Sequence, residues 1–113
     1  MQTSNKLSCV IITRNAAQHI STALTSVVNI CDEIIIVDSG SADNTLDICK
    51  KYTDKIFYNE FKGFGAQKLF AVSKATNDWI LSIDADEIIS DGLAQELKNI
   101  FQNKDANLLN DSN

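Results

Sequence analysis

Four short runs of apolar, β-branched residues recur along this chain at regular intervals, and they constrain its fold more than any other feature. The runs are Leu7–Thr13, Glu33–Asp38, Lys55–Asn59 and Trp79–Asp84. Their last residues lie 25, 21 and 25 positions apart, a spacing typical of successive β-α-β units. Runs that are apolar almost throughout are typical of strands buried on both faces, so they predict a parallel sheet.

The intervals between these runs carry the residue spacing of amphipathic helices. The apolar residues of the first interval follow this spacing, namely Ala17, Ile20, Leu24, Val27 and Val28. Asn15 is placed to cap this helix, with Gln18 three positions later as its capping-box partner. Ser41 precedes a second helix, which is predicted over Ala42–Tyr52.

Two further helices are predicted in the second half of the chain. The apolar face of the third helix is formed by Ala66, Leu69, Phe70 and Ser73. The face of the fourth, which Ser90 would cap, is formed by Leu93, Leu97, Ile100 and Phe101. The order β-α-β-α-β-α-β-α predicts a doubly wound α/β fold, in which a parallel sheet carries helices on both faces.

The length and charge of the chain limit what such a sheet can bind. The 113 residues suffice for one domain, predicted over 1–102 and followed by a polar tail over 103–113. The net charge of −5 disfavours non-specific binding to nucleic acid or anionic lipid. No apolar run approaches the roughly 20 residues of a membrane span. Since Met1–Lys6 is polar and unlike a signal peptide, we expect a cytoplasmic protein.

The three cysteines, Cys9, Cys31 and Cys49, are odd in number and form no C-x-x-C pair. Each lies in or beside an apolar stretch, so we expect small buried side chains in a reducing compartment. A structural zinc site is not expected, because the single histidine, His19, lies far along the chain from any paired cysteines.

Polar residues follow three of the four predicted strands, at the carboxyl end of each. They are Thr13-Arg14-Asn15 after the first strand, Asp38-Ser39-Gly40-Ser41 after the second and Asp84-Ala85-Asp86-Glu87 after the fourth. Open parallel sheets bind ligands beyond the carboxyl ends of their strands. Three strands therefore deliver polar groups to the edge at which a ligand site is expected.

Asp84 and Asp86 are the candidate metal ligands. On an extended segment, residues two apart face the same side, so these carboxylates would repel each other unless a cation lay between them. Mg²⁺ or Mn²⁺ fits this pattern, with water and substrate phosphates completing its coordination. The alternative is a pair of acids that only cap the turn after the strand.

Asp38 follows four apolar residues and precedes a turn that Gly40 allows by adopting a positive φ. The turn leads into a helix N-terminus, a favourable place for an anion. Asp38 could accept hydrogen bonds from a base or a ribose. Alternatively, it is an Asx-turn acid that only shapes the loop.

The loop Glu60–Lys68 contains Gly63 and Gly65, which make it pliable. Lys68 lies in the first turn of the following helix, where it could neutralise a pyrophosphate; otherwise it is a solvated surface lysine. No G-x-x-x-x-G-K-[ST] sequence occurs, and no G-x-G-x-x-G follows the first strand, which excludes a P-loop and a classical dinucleotide-binding fingerprint.

Taken together, these segments resemble the nucleotide-binding half of a GT-A family 2 glycosyltransferase. The resemblance rests on Thr13-Arg14-Asn15, VDSGSADNT at Val37–Thr45, GFGAQK at Gly63–Lys68 and IDADE at Ile83–Glu87. It covers Lys6 to Phe101, and GFGAQK is most similar to bacterial enzymes that add a hexose to the lipopolysaccharide core. The resemblance implies a three-layer, Rossmann-like sheet that stops after the D-x-D region.

The resemblance also implies roles for the residues after the first two strands. Thr13 and Asn15 would line the nucleotide pocket, and Asp38 would contact the uridine base. Gly40, in the turn after Asp38, would belong to the same nucleotide-binding set.

Further implied roles concern the donor diphosphate. Lys68 would lie near it, and Asp84 and Asp86 would form the D-x-D that binds the ribose and the metal–diphosphate. The implied reaction is inverting hexosyl transfer from a nucleotide-diphospho-sugar, UDP-hexose, with Mg²⁺ or Mn²⁺. The implied acceptor is lipopolysaccharide or another glycan, and lipid-linked acceptors imply association with the inner face of the cell membrane.

This chain departs from the family's pattern at two points. The related enzymes usually have asparagine after the lysine, whereas Leu69 stands here, so a polar contact is lost although the residue suits an apolar helix face. The family's general base lies beyond the D-x-D, and no credible base is visible, since Glu87 is better suited to support the metal site or a turn. We therefore expect a donor-binding half that binds nucleotide diphosphate weakly and transfers little or no sugar by itself.

Two other classes of protein are alternatives. A phosphotransfer or phosphatase-like domain commonly carries its nucleophilic acid after the first strand, where this chain has Thr13-Arg14-Asn15. A non-catalytic remnant or partner module that binds only nucleotide or protein would share the fold. An uncovered sheet edge would promote self-association in either case.

Overall fold

The four β-branched runs form one sheet in a computed structural model of the chain, which describes residues 6–101. The strands are β1 (Leu7–Thr13), β2 (Glu33–Asp38), β3 (Ile56–Tyr58) and β4 (Trp79–Asp84). They lie in the order β3-β2-β1-β4, and every pair is parallel, which confirms the predicted sheet. β3 is shorter than predicted because only residues 56–58 pair with β2.

Helices pack on both faces of this sheet and complete the predicted three layers. They are α1 (Ile20–Val27), α2 (Thr45–Cys49), α3 (Phe64–Lys74) and α4 (Asp91–Phe101). Residues of α1, α2 and α4 pack on one face, and residues of α3 pack on the other. The doubly wound α/β fold is therefore confirmed.

The inner strands β1 and β2 carry the core, because their alternate side chains point to opposite faces. On one face they pack with the buried stripe of α1, in a cluster that includes Cys9, Ile11, Ile34, Ile36, Ile20, Leu24 and Val27. On the other face, Val10, Ile35 and Val37 pack with Ala71 of α3. Burying each large aliphatic side chain stabilises the fold by roughly 1.5–3 kcal/mol.

The outer strands are less buried than the apolar runs predicted. No residue of β3 is fully buried, and in β4 both Trp79 and Asp84 are exposed. Within residues 6–101, each of these strands has a hydrogen-bonded neighbour on one side only. Self-association through such an edge stays a prediction.

The predicted cap of the first helix and the predicted length of the second helix are wrong. Asn15 has a φ of 52°, and its side chain bonds across to Ala42 instead of capping α1, which begins at Ile20 after a turn. α2 covers only Thr45–Cys49, because the residues before it are held in the loop that connects it to β2.

The predicted apolar face of the third helix is correct only at Phe70, which packs against the core. Gln67 and Ala71 are the buried residues of α3, whereas Leu69 is 72% exposed. The helix is rotated because the Gln67 amide both accepts from and donates to Asn59, which places position 67 against the sheet.

The predicted cap of α4 is confirmed, since Ser90 Oγ accepts a hydrogen bond from the backbone N–H of Leu93 at 3.1 Å.

Two further expectations concern the polar tail and the three cysteines. The tail over 103–113 lies outside the described residues. Cys9 and Cys49 are buried in the core and Cys31 is half-buried, and all three thiols are free.

No helix within residues 6–101 is long and apolar enough to cross a bilayer.

A buried carboxylate joins the amino ends of β1 and β2 to the segment before β4. Glu33 accepts hydrogen bonds from Ser8 Oγ at 2.6 Å and from Thr76 N and Oγ1 at 2.8 Å, and it pairs with Lys55. Burial by itself would raise the pKa of Glu33, but the hydrogen bonds from Lys55, Ser8 and Thr76 outweigh it and lower the pKa to about 2. The fold therefore favours the ionised form.

We predict that Glu33→Gln destabilises the chain at neutral pH by about 2–3 kcal/mol. Because the pKa of Glu33 falls from 4.5 to about 2 on folding, its contribution is fully present above about pH 5 and is lost as the pH falls towards 2. Urea unfolding of both proteins at pH 7, 4 and 3 measures the difference. The exposed Glu96→Gln variant is the control, and a wild-type advantage that does not shrink at low pH would contradict this account.

Candidate functional site

The parallel register brings the carboxyl ends of β1, β2 and β4 side by side. Thr13 is the Cα partner of Asp38, and the preceding residue, Ile12, is the partner of Asp84. Polar groups from three strands therefore meet at one edge of the sheet, where the sequence predicted a ligand site.

Asp38 holds the loop that follows β2. Its Oδ2 accepts hydrogen bonds from the backbone N–H groups of Gly40 and Ser41, both at 2.8 Å, and its Oδ1 accepts from Ser41 Oγ at 2.5 Å. Gly40 has the expected positive φ, at 117°. Burial, to which the charge of Asp38 adds, raises the pKa of Cys49 to about 11. The hydrogen bonds of Asp38 match the alternative in which this acid shapes the loop.

Asn15 joins the loop after β1 to the loop after β2. Its backbone N–H donates to Ser41 Oγ at 2.8 Å, and its side-chain Oδ1 accepts from the backbone N–H of Ala42 at 2.7 Å. The left-handed backbone of Asn15 allows both contacts, and asparagine tolerates this conformation better than most residues. Asn15 therefore lies at the predicted site and braces its rim.

A second pair of bonds ties the same two loops together. The backbone N–H of Ala16 donates to Thr45 Oγ1 at 2.8 Å, and that of Ala17 donates to Asp43 Oδ2 at 3.2 Å. Thr45 Oγ1 in turn donates to Asp43 at 2.5 Å, and this bond lowers the pKa of Asp43. The two loops form one hydrogen-bonded unit.

Thr13 lies in the wall of a cavity of about 350 Å³, here called the apolar cavity. The cavity is lined by Ile12, Thr13, Arg14, Ser39, Phe61, Phe64 and Gln67. Thr13 is only 6% exposed, and within residues 6–101 its Oγ1 is the one buried side-chain polar atom without a hydrogen-bond partner. Since buried hydroxyls are normally paired, this hydroxyl is an exception, and it belongs to a residue of the cavity wall.

A second cavity, of about 390 Å³, adjoins the first and is here called the acidic cavity. It shares four residues with the apolar cavity, namely Ile12, Thr13, Arg14 and Phe64. Its other lining residues are Asn15, Ala16, His19, Asp84, Ala85 and Asp86. Both candidate metal ligands therefore line a single cavity.

The reason why Asp84 and Asp86 meet differs from the one predicted. β4 ends at Asp84, and a turn follows in which Glu87 N donates to Asp84 O at 3.0 Å and Asp84 N donates to Glu87 Oε1 at 2.6 Å. A turn held by Glu87, and not the pleat of an extended strand, places Asp86 beside Asp84. Glu87 supports this turn, as expected.

Lys68 of α3 pairs with Asp84, one of the residues that line the acidic cavity. Its Nζ lies 3.6 Å from Asp84 Oδ1, and the two side chains are 45% and 52% exposed. An ion pair this exposed contributes little to stability, so both charges are free to interact with a ligand. Within residues 6–101, no group of three or more His, Cys, Asp or Glu residues could hold a metal ion by itself.

The sequence assigned no role to several residues that line the two cavities. Arg14 and Phe64 line both, and Phe61 and Gln67 line the apolar cavity. Arg14 stands directly after β1, a signal that was visible in the sequence. The other three come from the loop before α3 and from α3 itself, whose approach to β1 depends on tertiary packing.

Comparison with known proteins supports the resemblance. The sequence model of the family described as Glycosyl transferase family 2 matches residues 8–110. A protein of Rickettsia felis, named an uncharacterized glycosyltransferase, is 47% identical over 96 residues, which are 85% of this chain and 34% of the relative. The lipopolysaccharide core biosynthesis glycosyltransferase LpsC of Rhizobium meliloti is 33% identical over 104 residues, 88% of this chain and 38% of LpsC. The chain thus spans little more than a third of the length of these relatives.

A similar fold occurs in a solved structure. Glucosyl-3-phosphoglycerate synthase from Mycobacterium tuberculosis, crystallised in complex with Mg²⁺ and UDP, matches with a TM-score of 0.65. The match covers 74% of this chain and 34% of the synthase at 22% identity. The likeness shows that the two proteins share the layered α/β fold.

We predict that Asp38→Asn destabilises the chain by about 1–3 kcal/mol, because an amide leaves at least one of the three part-buried donors without its charged acceptor. Urea unfolding measures the change. Asp54→Asn, at an exposed acid beyond the opposite end of the sheet, is the matched control and should change stability by less than about 0.5 kcal/mol. Equal effects of the two substitutions would show that the Asp38 loop contacts do not stabilise the fold.

Proposed function

This chain belongs to glycosyl transferase family 2, and on that premise we propose that it binds the UDP portion of a UDP-hexose at the carboxyl edge of its sheet. One observation carries the proposal: an apolar cavity and an acidic cavity adjoin and share the wall built by the end of β1. The first suits a base and the second suits a metal-bound diphosphate. A nucleoside diphosphate has both parts, joined by a ribose.

The end of β1 supplies polar contacts for such a ligand. The partnerless hydroxyl of Thr13 would bond to the nucleoside, and Arg14, which lines both cavities, would bond to a phosphate. An arginine fork matches phosphate oxygens well. Asn15, Asp38 and Gly40 would act by holding the two loops that form the rim.

Asp84 and Asp86 fit a divalent cation. Both are exposed carboxylates that line the acidic cavity, and Mg²⁺ is commonly held by one or two carboxylates, with substrate phosphates and water completing its coordination. Since two carboxylates alone make a weak site, the cation would bind together with the diphosphate. A bound Mg²⁺ or Mn²⁺ would offset the negative charge that develops on the leaving diphosphate.

Lys68 would join this site when the donor binds. Its ion pair with Asp84 is long and exposed, so the lysine can leave the carboxylate for a phosphate oxygen at little cost. This move of the Lys68 side chain from Asp84 to the phosphate would keep a positive charge beside the leaving group.

The proposed reaction is hexosyl transfer with inversion. An acceptor hydroxyl oxygen bonds to the anomeric carbon of the hexose, and the bond from that carbon to the diphosphate oxygen breaks. The electron pair leaves with UDP, and the hydroxyl proton passes to a general base. The LpsC relative supports lipopolysaccharide core or a related glycan as the acceptor. That the general base lies outside the described residues stays a prediction.

The geometry does not favour a phosphotransfer reaction. Such an enzyme commonly carries its nucleophilic acid after the first strand, whereas β1 ends in Thr13. The acid after the second strand, Asp38, is buried and accepts three hydrogen bonds. A non-catalytic module would bind UDP without transferring sugar when the acceptor is supplied.

We predict that UDP binds in the presence of Mn²⁺, and that Asp84→Asn and Asp86→Asn each weaken it by about tenfold or more, equivalent to about 1.4 kcal/mol. Isothermal titration calorimetry measures the affinity, and removal of Mn²⁺ by a chelator should reduce wild-type binding to the level of the variants. Asp78→Asn, which changes the acid directly before β4, is the matched control. Equal affinities for wild type and both site variants, or no binding by any of them, would refute the metal site.

A separate prediction concerns Lys68→Gln. The free energy of unfolding should stay within about 0.5 kcal/mol of wild type, because the ion pair is exposed. UDP affinity should fall several-fold, and the loss should shrink as salt is added, since salt screens the charge. Urea unfolding and calorimetry at two salt concentrations test this, and unchanged affinity at low salt would show that Lys68 is only a surface lysine.

A further inference from the structure

Two aromatic rings stand exposed at the mouth of the apolar cavity. Phe61 is 45% exposed and Phe64 is 69% exposed, and both line the cavity. Their ring centroids lie 5.0 Å apart with the planes at 76°, an edge-to-face arrangement that aromatic pairs prefer. Exposed apolar surface that lines a cavity is typical of a binding site.

The backbone between the two rings explains their placement. Gly63 has a φ of 123° and is the N-cap of α3, so the chain bends sharply between Phe61 and the first residue of the helix, Phe64. A residue with a side chain would be strained at this φ. The bend brings both rings to the same cavity, one from the loop and one from the helix.

Four of the seven residues that line the apolar cavity have polar side chains, namely Thr13, Arg14, Ser39 and Gln67. Both ends of the Gln67 amide are bonded to Asn59, at 2.9 and 3.0 Å. Thr13 Oγ1, by contrast, has no hydrogen-bond partner in the part of the chain that the structure describes. A planar ring with polar atoms at its edge fits this lining. Its face can stack on an aromatic side chain while its edge bonds to the Thr13 hydroxyl.

We propose that Phe64, held by Phe61, is the stacking platform for the base of the bound nucleotide. This inference rests on the proposed function and adds a residue that determines specificity to it. Phe64 lines the acidic cavity as well, so it lies where the base-binding and diphosphate-binding parts of the site meet. Its ring favours a nucleoside diphosphate over a diphosphate that carries no base.

Calorimetry with two probes, UDP and inorganic pyrophosphate, both with Mn²⁺, tests the platform. Phe64→Ala should weaken UDP binding by about tenfold, within the range reported for stacking of one base on an aromatic side chain, and should leave pyrophosphate binding unchanged. Phe64→Tyr retains the ring and should bind UDP within about threefold of wild type. Phe61→Ala should weaken UDP binding less than Phe64→Ala, because Phe61 acts by holding Phe64.

Leu69→Ala is the matched control, since it removes an exposed apolar side chain from the same helix at a position outside both cavities. It should leave both affinities unchanged. Urea unfolding checks that Phe64→Ala is folded. In proton NMR with diamagnetic Mg²⁺ in place of Mn²⁺, the H5 and H6 signals of the uracil should move upfield on binding to wild type but not on binding to Phe64→Ala, because the ring current of the phenylalanine is lost.

The outcomes separate this inference from the proposed function. Wild-type binding of UDP with no change in Phe64→Ala overturns the platform and leaves the donor site standing. Equal wild-type affinities for UDP and pyrophosphate, or equal losses of both in Phe64→Ala, also overturn it. Failure of wild type to bind UDP overturns the proposed function together with the inference.

Discussion

The pairing of β1 with β2 on one side and β4 on the other is the interaction on which the rest of the structure depends. β1 is buried along nearly its whole length, and its register sets Thr13 beside Asp38 and Ile12 beside Asp84. A slip of one residue would turn every β1 side chain to the opposite face. The same apolar contacts that stabilise the sheet therefore also assemble the site at its edge.

The polar residues at this edge divide into two groups according to their partners. Asp38 and Asn15 are occupied by hydrogen bonds within and between the loops. Thr13 Oγ1, by contrast, has no hydrogen-bond partner among residues 6–101, and the Asp84 carboxylate pairs with the exposed Lys68. The first group satisfies backbone N–H groups that the ends of a parallel sheet would otherwise leave unpaired. The result is a hydrogen-bonded rim beside two side chains, Thr13 and Asp84, that take no part in its hydrogen bonds.

Function in this fold depends on the site and not on the layered sheet, because similar sheets carry many activities. Family membership supports the proposed reaction class, and the two adjoining cavities support the proposed place of the nucleotide-sugar along the edge. Two exposed apolar side chains of α3 show that the position of a residue relative to the cavities, and not its exposure, makes it a candidate for ligand binding. Phe64 lines both cavities, whereas Leu69 on the same helix lines neither, although the two are similarly exposed.

The sequence by itself determined the sheet, three of its strands to the residue, the alternation with helices and the edge at which polar groups gather. Each of these follows from local periodicity, which is a property of neighbouring residues. Tertiary structure decided the rest: the rotation of α3, the use of Asn15 as a brace to Ala42, and the approach of Phe64 to the end of β1. These contacts join residues far apart in the chain, and they depend on strand register and helix packing, which no local pattern specifies.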